Sequence, residues 1–142
     1  MRAFNIFIVL LLLALIPILS YAEDVRVSEV VSVYDGDTFK VNIHGWPDII
    51  GKSIGVRVIG IDTPEIRGKC LAEKEMAVSA RSYVRNLLRN AKQIVLVDMQ
   101  RDKYFRILSR VEVDGKDLSQ DLIDKGLAVS YDGGTKVNPW CK

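Results

Sequence analysis

A single α+β domain built on a partly open five-stranded Greek-key barrel, with one long helix after the third strand and a short helix after the fifth, is the fold that the sequence predicts. Three observations point to it. Five short segments rich in β-branched residues are separated by Gly, Asp and Pro turns, and one long amphipathic stretch interrupts them. Once an apolar leader is set aside about 120 residues remain, enough for one core and too few for two.

The leader comes first. Arg2 supplies a positive start, Ile6 to Leu19 is apolar and broken only by Pro17, and Ser20-Tyr21-Ala22 has the small-x-small form of a cleavage site. Residues 1–22 are therefore expected to be a cleaved export signal and residues 23–142 the working domain. As a membrane anchor the run is too short, spanning about 21 Å against a hydrocarbon core of about 30 Å. The expected location is secreted or periplasmic, with no stable membrane association after cleavage.

Val25 to Val33 reads as the first strand and Phe39 to Ile43, which alternates cleanly, as the second, with Asp35-Gly36-Asp37 as their hairpin turn. His44 to Ser53, with Gly45, Pro47 and Gly51, reads as a loop. Ile54 to Ile61 is the third strand, ended by Asp62-Thr63-Pro64. From Leu71 to Arg89 the set Met76, Ala80, Tyr83, Val84 and Leu87 predicts a helix face, with Asn90 available for a left-handed stop. The outer face of this helix is basic, which simple solvation explains better than a phosphate track. Ile94 to Asp98 and Phe105 to Val113 are the fourth and fifth strands, after which Asp114-Gly115 turns the chain. Ser119 as N-cap, Leu118 with Ile123 as a hydrophobic staple and Gly126 as C-terminal stop predict the short helix.

Composition narrows the function. Lys and Arg total 20 against 18 Asp and Glu, a formal net charge of +2, so bulk charge would not hold the protein on a polyanion and any such ligand needs a local site. The 49% hydrophobic content is raised by the leader and is otherwise ordinary, which excludes a disordered, collagenous or polytopic membrane chain. The only cysteines are Cys70 and Cys141, and in an export domain a lone pair is expected to form a disulfide. Such a bridge would tie the tail to the middle of the chain and stabilise by about 4 kcal/mol in the chain-entropy view. The competing reading, a metal pair, has only the distant His44 to add, and His44 reads as a loop residue.

Acidic residues gather at two turns, Asp35 with Asp37 and Asp62 with Glu65, and hard oxygen donors of this kind suit Ca²⁺ or Mg²⁺ rather than zinc. Each turn alone is equally an ordinary hairpin or strand end. Arg57 shifts the balance, because a guanidinium in an otherwise apolar strand needs an anionic partner if it turns inward. Arg106 poses the same question in the fifth strand. Two arginines beside a carboxylate-bound divalent cation form the set that absorbs the charge growing on a phosphodiester during displacement.

Asp35-Gly36-Asp37-Thr38, Arg57 followed by Asp62-Thr63-Pro64-Glu65, and Asp102-Lys103-Tyr104-Phe105-Arg106, in that order and spacing, resemble the staphylococcal nuclease (thermonuclease) family over about residues 25–131. The resemblance implies an OB-fold, Ca²⁺-dependent endonuclease that cuts DNA and RNA and leaves 3′-phosphates. It implies that Asp37 and Asp62 ligate calcium through side chains and Thr63 through its carbonyl, with Asp35 just behind them. Glu65 matches the residue that activates or orients the attacking water. Arg57 and Arg106 match the phosphate-binding pair, and Lys103 and Tyr104 match positions flanking the bound nucleotide. Tyr131 matches another such position, with core packing an equal alternative.

The sequence departs from the pattern at Phe105, where the family has Gly before the arginine, so Arg106 is expected to be aimed differently. It also ends at Lys142 without the long C-terminal helix of the founding member, and the Cys70–Cys141 bridge is expected to hold the tail instead. A monomer with no partner protein is expected. The alternative from another functional class is an OB-fold module that binds oligonucleotides without cutting them. Crowding of four carboxylates further implies that the metal-free cleft is repulsive, so that neutralising Asp37 would leave the metal-free fold equally or more stable.

Overall fold

The computed structural model describes residues 23–141, and the expected export leader, residues 1–22, lies outside the described residues. The chain runs through β1 (Val25–Arg26), β2 (Glu29–Val33), β3 (Thr38–Asn42), α1 (Asp48–Gly51), β4 (Ile54–Val58), β5 (Ile61–Asp62), α2 (Leu71–Asn90), β6 (Ile94–Arg101), β7 (Ile107–Val113), β8 (Lys116–Asp117), α3 (Leu118–Asp124) and β9 (Val129–Ser130). Where five strands were expected, the described residues form nine, four of them only two residues long.

The main sheet is ordered β1-β6-β7-β4-β3-β2, with β8 paired to β7. Its pairings are antiparallel except β4 with β7, where Val56 lies beside Ile107 and Arg57 beside Leu108. The ends of that path, β1 and β2, are neighbours in sequence. Val27 N donates to Ile94 O at 2.9 Å and Ser28 N to Asn42 O at 2.9 Å, so the chain changes partner between these two residues and the sheet curls into a half-barrel. The expected strand Val25–Val33 is thus two strands, bent because one segment serves both edges. The curled mixed sheet with its helices is consistent with an OB-like α+β fold.

Alternation explains which residues fill the barrel. Ile54, Val56 and Val58 of β4 and Ile107, Val111 and Val113 of β7 point inward with Phe39, Val41 and Leu96. Arg57, at the alternate parity of β4, points the other way, toward the loops. Helix α2 lies against β2 and α3 against β7.

Several local expectations are corrected. The loop 44–53 contains the single turn α1, in which Ile50 N and Gly51 N both donate to Pro47 O. The fully buried stripe of α2 is Ala77, Ala80, Val84 and Leu88, while Met76, Tyr83 and Leu87 are only half-buried, so the inward face is turned by about one residue. Asn90 is helical and does not adopt the left-handed stop; its Nδ2 donates back to Asn86 O at 2.8 Å, and Ala91 leaves the helix extended. The fourth strand continues to Arg101 through a bulge at Asp98 (φ 54°), and the fifth begins at Ile107. Asp117, not Ser119, caps α3, its Oδ1 accepting from Gln120 N at 3.0 Å; Leu118 is then the first helical residue and no staple forms. Ser119 Oγ instead donates to Ile59 O at 3.0 Å. Gly126 stops α3 as expected, at φ 69°.

Candidate active site

Three turns and the tail converge at one rim of the curled sheet. The first is Asp35-Gly36-Asp37, which is wholly buried. Gly36 is required there by contact, because a Cβ would lie 2.8 Å from Thr63 Cγ2 and 3.1 Å from Ala80 Cβ. Its absence lets the turn press against the β5 end, and Asp37 becomes a hub. Asp37 Oδ2 accepts from Thr63 N at 3.1 Å and Thr63 Oγ1 at 2.9 Å, and its Oδ1 accepts from Thr38 Oγ1 at 2.9 Å.

Pairing of Thr38 with Arg57 across β3 and β4 sets Arg57 beside this turn. Its guanidinium forms an ion pair with Asp37, lies 3.4 Å from Asp62 Oδ1 and donates to Ile61 O at 3.2 Å. The arginine side chain is 13% exposed and both carboxylates 6%, so the anionic partner that an inward arginine requires is present twice over. Asp35, the remaining carboxyl, has no cation of its own and accepts Asp37 N at 3.1 Å. Burial first, and then the neighbouring Asp37 charge, push its pKa up to about 7. Between its unfolded and folded values Asp35 keeps its proton only in the folded protein, so its contribution to stability is lost as pH rises through about 7. In chelator the melting temperature should fall between about pH 4 and pH 7 and level off above that, and Asp35→Asn should flatten that slope; a rise over the same interval would refute the assignment. Glu73 and Asp102 act with the opposite sign and in another window. Both carboxyls are held below their usual range, so their contribution is lost only as pH falls below about 4.

The loop from Asp102 to Arg106 orients the second arginine. Asp102 Oδ2 accepts from Arg106 Nε at 2.7 Å, while its Oδ1 accepts from Tyr104 N and Arg106 N. Burial alone would raise the Asp102 pKa, and these bonds outweigh it. Phe105 holds the left-handed conformation at φ 61°, keeping the backbone course that glycine allows at a cost of about 1–2 kcal/mol. The Arg101 guanidinium stacks over its ring at 3.9 Å. Arg106 therefore still reaches the cleft, 5.3 Å from the Tyr104 ring centroid. Lys103 and the exposed Tyr104 line the same cleft. Tyr131 lines it too, so core packing is not its role, and its hydroxyl donates to Gly134 O at 2.9 Å.

Sequence reasoning missed Lys136 and Glu73. Lys136 Nζ lies 2.8 Å from Asp62 Oδ1 and 2.9 Å from Glu65 Oε1. Burial would lower its pKa, and those two bonds raise it instead. No local pattern marks this lysine, which stands in an irregular tail. Buried Glu73 accepts from Lys69 N at 2.8 Å, Glu65 N at 3.3 Å and Asn138 Nδ2 at 2.8 Å, tying the Glu65 loop to the tail. A sequence signal for it exists: Cys70 is the N-cap of α2 and Glu73 stands three residues on, the spacing of a capping box. The Cys70–Cys141 disulfide is formed, with S–S 2.06 Å, and anchors the tail as expected.

The cleft lined by Asp35, Asp37, Arg57, Glu65, Arg106 and Lys136 has a volume of about 850 Å³. Asp37, Asp62 and the Thr63 carbonyl offer only hard oxygen, which fits a divalent cation such as Ca²⁺. Among the described residues the one trio of ligating groups within 4.8 Å of one another is Cys70, Glu73 and Cys141, whose sulfurs are consumed by the disulfide. The cleft carboxylates are spaced more widely, and the positive charge they demand is supplied by Arg57 and Lys136. The expectation of a purely repulsive metal-free cleft is therefore corrected: Asp37, Asp62 and Glu65 are each paired with a cation, and the Asp37 charge helps to raise the pKa of Asp35.

A model of the staphylococcal nuclease homologue family matches residues 55–139. The chain is 29% identical over 131 residues to a probable endonuclease of Schizosaccharomyces pombe, covering 76% of this chain and 56% of that protein. It is 36% identical over 100 residues to the SPbeta prophage-derived endonuclease YokF of Bacillus subtilis, covering 68% of this chain and 32% of that protein. To endonuclease YncB of the same organism it is 35% identical over 100 residues, covering 68% and 44%. The chain thus spans between about a third and just over half the length of these relatives. Since the match begins within β4, beside Arg57, and runs through the tail that carries Lys136, the chain belongs to the staphylococcal nuclease homologue family.

Proposed function

We propose that the chain is an exported, Ca²⁺-dependent endonuclease that hydrolyses phosphodiester bonds of DNA and RNA and leaves 3′-phosphates. The observation that carries this reading is the meeting of Arg57, Arg106 and Glu65 in one cleft with Asp37, and with Asp62 at its border beside Arg57. One guanidinium comes from β4 and the other from the loop before β7, and they would take the non-bridging oxygens of one phosphate from two sides. Both gain strength as those oxygens become more negative in the five-coordinate transition state. Glu65, half exposed at 53%, stands where it can accept the proton of an attacking water. Tyr104 is exposed at the cleft and offers an aromatic ring on which a neighbouring base can stack, and Lys103 beside it offers charge to the next phosphate. Asp37, Asp62 and the Thr63 carbonyl would hold the Ca²⁺ ion, whose chemistry is to neutralise charge on the phosphate and lower the pKa of water. The apolar leader and the Cys70–Cys141 bridge support a secreted or periplasmic location.

The test is incubation of residues 23–142 with plasmid DNA in Ca²⁺ and in chelator. Nicking and cutting in Ca²⁺ alone are expected, with phosphate at the 3′ ends. Binding of oligonucleotide without cutting in either condition would replace this reading with the non-catalytic module. Glu65→Gln should lower kcat by about 10²- to 10⁴-fold with KM nearly unchanged, the mark of a group acting on water rather than on substrate. A rise in KM with kcat preserved would remove Glu65 from that role.

A further inference from the structure

Lys136 is a cleft lysine to which the proposed reaction gives no task. Its ammonium reaches the two carboxylates that the reading above assigns to metal and water, 2.8 Å from Asp62 Oδ1 and 2.9 Å from Glu65 Oε1. It arrives from solvent, with a side chain 47% exposed, while the Asp62 side chain is 6% exposed. The segment that carries it is fastened on both sides. Upstream, Tyr131 N donates to Gly60 O at 3.0 Å and Tyr131 Oη to Gly134 O. Downstream, Asn138 Nδ2 donates to Glu73 Oε2, Asn138 Oδ1 accepts from Trp140 N and Cys141 N, and Cys141 is bonded to Cys70. Glu73 and Cys70 belong to the start of α2, the same element that braces the Glu65 loop through the bond from Glu65 N to Glu73 Oε1.

A carboxylate oxygen that holds an ammonium at hydrogen-bond distance has no room to ligate a divalent ion along the same direction. We propose that Lys136 is a tethered internal cation, which occupies the Asp62–Glu65 pair in the metal-free protein, competes with the divalent ion for it, and is displaced when the ion binds. The Cys70–Cys141 bridge sets how strongly it competes, because a short fastened segment keeps the ammonium at a high effective concentration over the carboxylates. The inference rests on Asp62 being a metal ligand. Two consequences follow from the geometry. Until the ion displaces Lys136, Glu65 is bonded to an ammonium and withheld from water. Opening the disulfide frees the tail, lowers the effective concentration of Lys136 and lets the ion bind at lower concentration.

Calorimetric titration of CaCl₂ into the purified oxidised protein and into Lys136→Met, which keeps the length of the stem without its charge, tests the proposal. Lys136→Met should tighten calcium binding by about 2- to 5-fold, the range of a partly exposed ion pair. The pair Cys70→Ser with Cys141→Ser should tighten it less, and should add nothing in the presence of Lys136→Met, because both act through the same ammonium. If the double serine variant fails to fold, Lys136→Met with the bridge intact carries the test alone. In chelator, Lys136→Met should melt below wild type. Calcium binding that is equal or weaker in Lys136→Met, or an unchanged melt in chelator, overturns the competition while leaving the metal site standing. Absence of calcium binding in both wild type and Lys136→Met overturns the metal reading itself, and the competition with it.

Discussion

Arg57→Ala is expected to lower kcat/KM by about 10²- to 10³-fold and, in the same variant, to destabilise the metal-free protein by about 3 kcal/mol. The catalytic loss is that of one preorganised donor to a phosphate whose charge grows in the transition state. The stability loss has a separate origin, visible in the two carboxylates that Arg57 serves. Without it Asp37 keeps only hydroxyl and amide partners, and Asp62 keeps only Lys136. That residual partner is why the expected cost lies at the lower end for a broken buried pair. Arg57→Lys should recover little of either property, since one ammonium cannot span Asp37, Asp62 and the Ile61 carbonyl as the guanidinium fork does. Thermal melts in chelator and in Ca²⁺ separate the two effects: an added cation should shrink the stability deficit and leave the catalytic one. An Arg57→Lys variant near wild-type activity would remove Arg57 from the phosphate site.

Asp37→Asn should weaken calcium binding by about 10²-fold, because charge count is what tunes such sites, and cleavage should fall with it. Carboxylate crowding alone predicts that the metal-free protein gains stability from this change. The ion pair with Arg57 reverses that sign. An amide with its oxygen in place of Oδ2 keeps the bonds from Thr63 N and Thr63 Oγ1, and its NH₂ can donate to the Thr38 hydroxyl, but the charge opposite the buried Arg57 is lost. A loss of about 1–3 kcal/mol in chelator is expected, the cost of a buried polar group left without its partner. The pH dependence assigned to Asp35 should weaken at the same time, since the Asp37 charge is second only to burial in raising it. Normal calcium binding and cutting by Asp37→Asn would defeat its role as a ligand.

Much of the site is legible in the sequence. Asp35, Asp37, Asp62, Glu65, Arg57 and Arg106 stand in short motifs whose chemistry is concentrated within a few residues, and all six line or border one cleft. Arg57 shows why this succeeds: a guanidinium among valines and isoleucines implies an anion at once. Local periodicity is less informative wherever a segment answers to two neighbours. Val25–Val33 reads as one strand because it is rich in β-branched residues, yet Val25 pairs with Leu96 and Val30 with Val41. The stripe of α2 is misplaced by about a residue in the sequence pattern because Glu73, counted as polar, is buried at its start under Lys69, Glu65 and Asn138.

The chemical inventory, hard oxygen donors, two arginines, a carboxylate for water and a cysteine pair for the tail, is a property of residue types and short spacings, and it can be read from the chain alone. The electrostatic state of that inventory cannot. Whether carboxylates repel or are paired depends on distances between groups far apart in sequence, and Coulomb energy falls with separation and rises with burial. The fold brings Lys136 to Asp62 and Glu65, sets Arg57 between Asp37 and Asp62, and leaves Asp35 beside the Asp37 charge without a cation of its own.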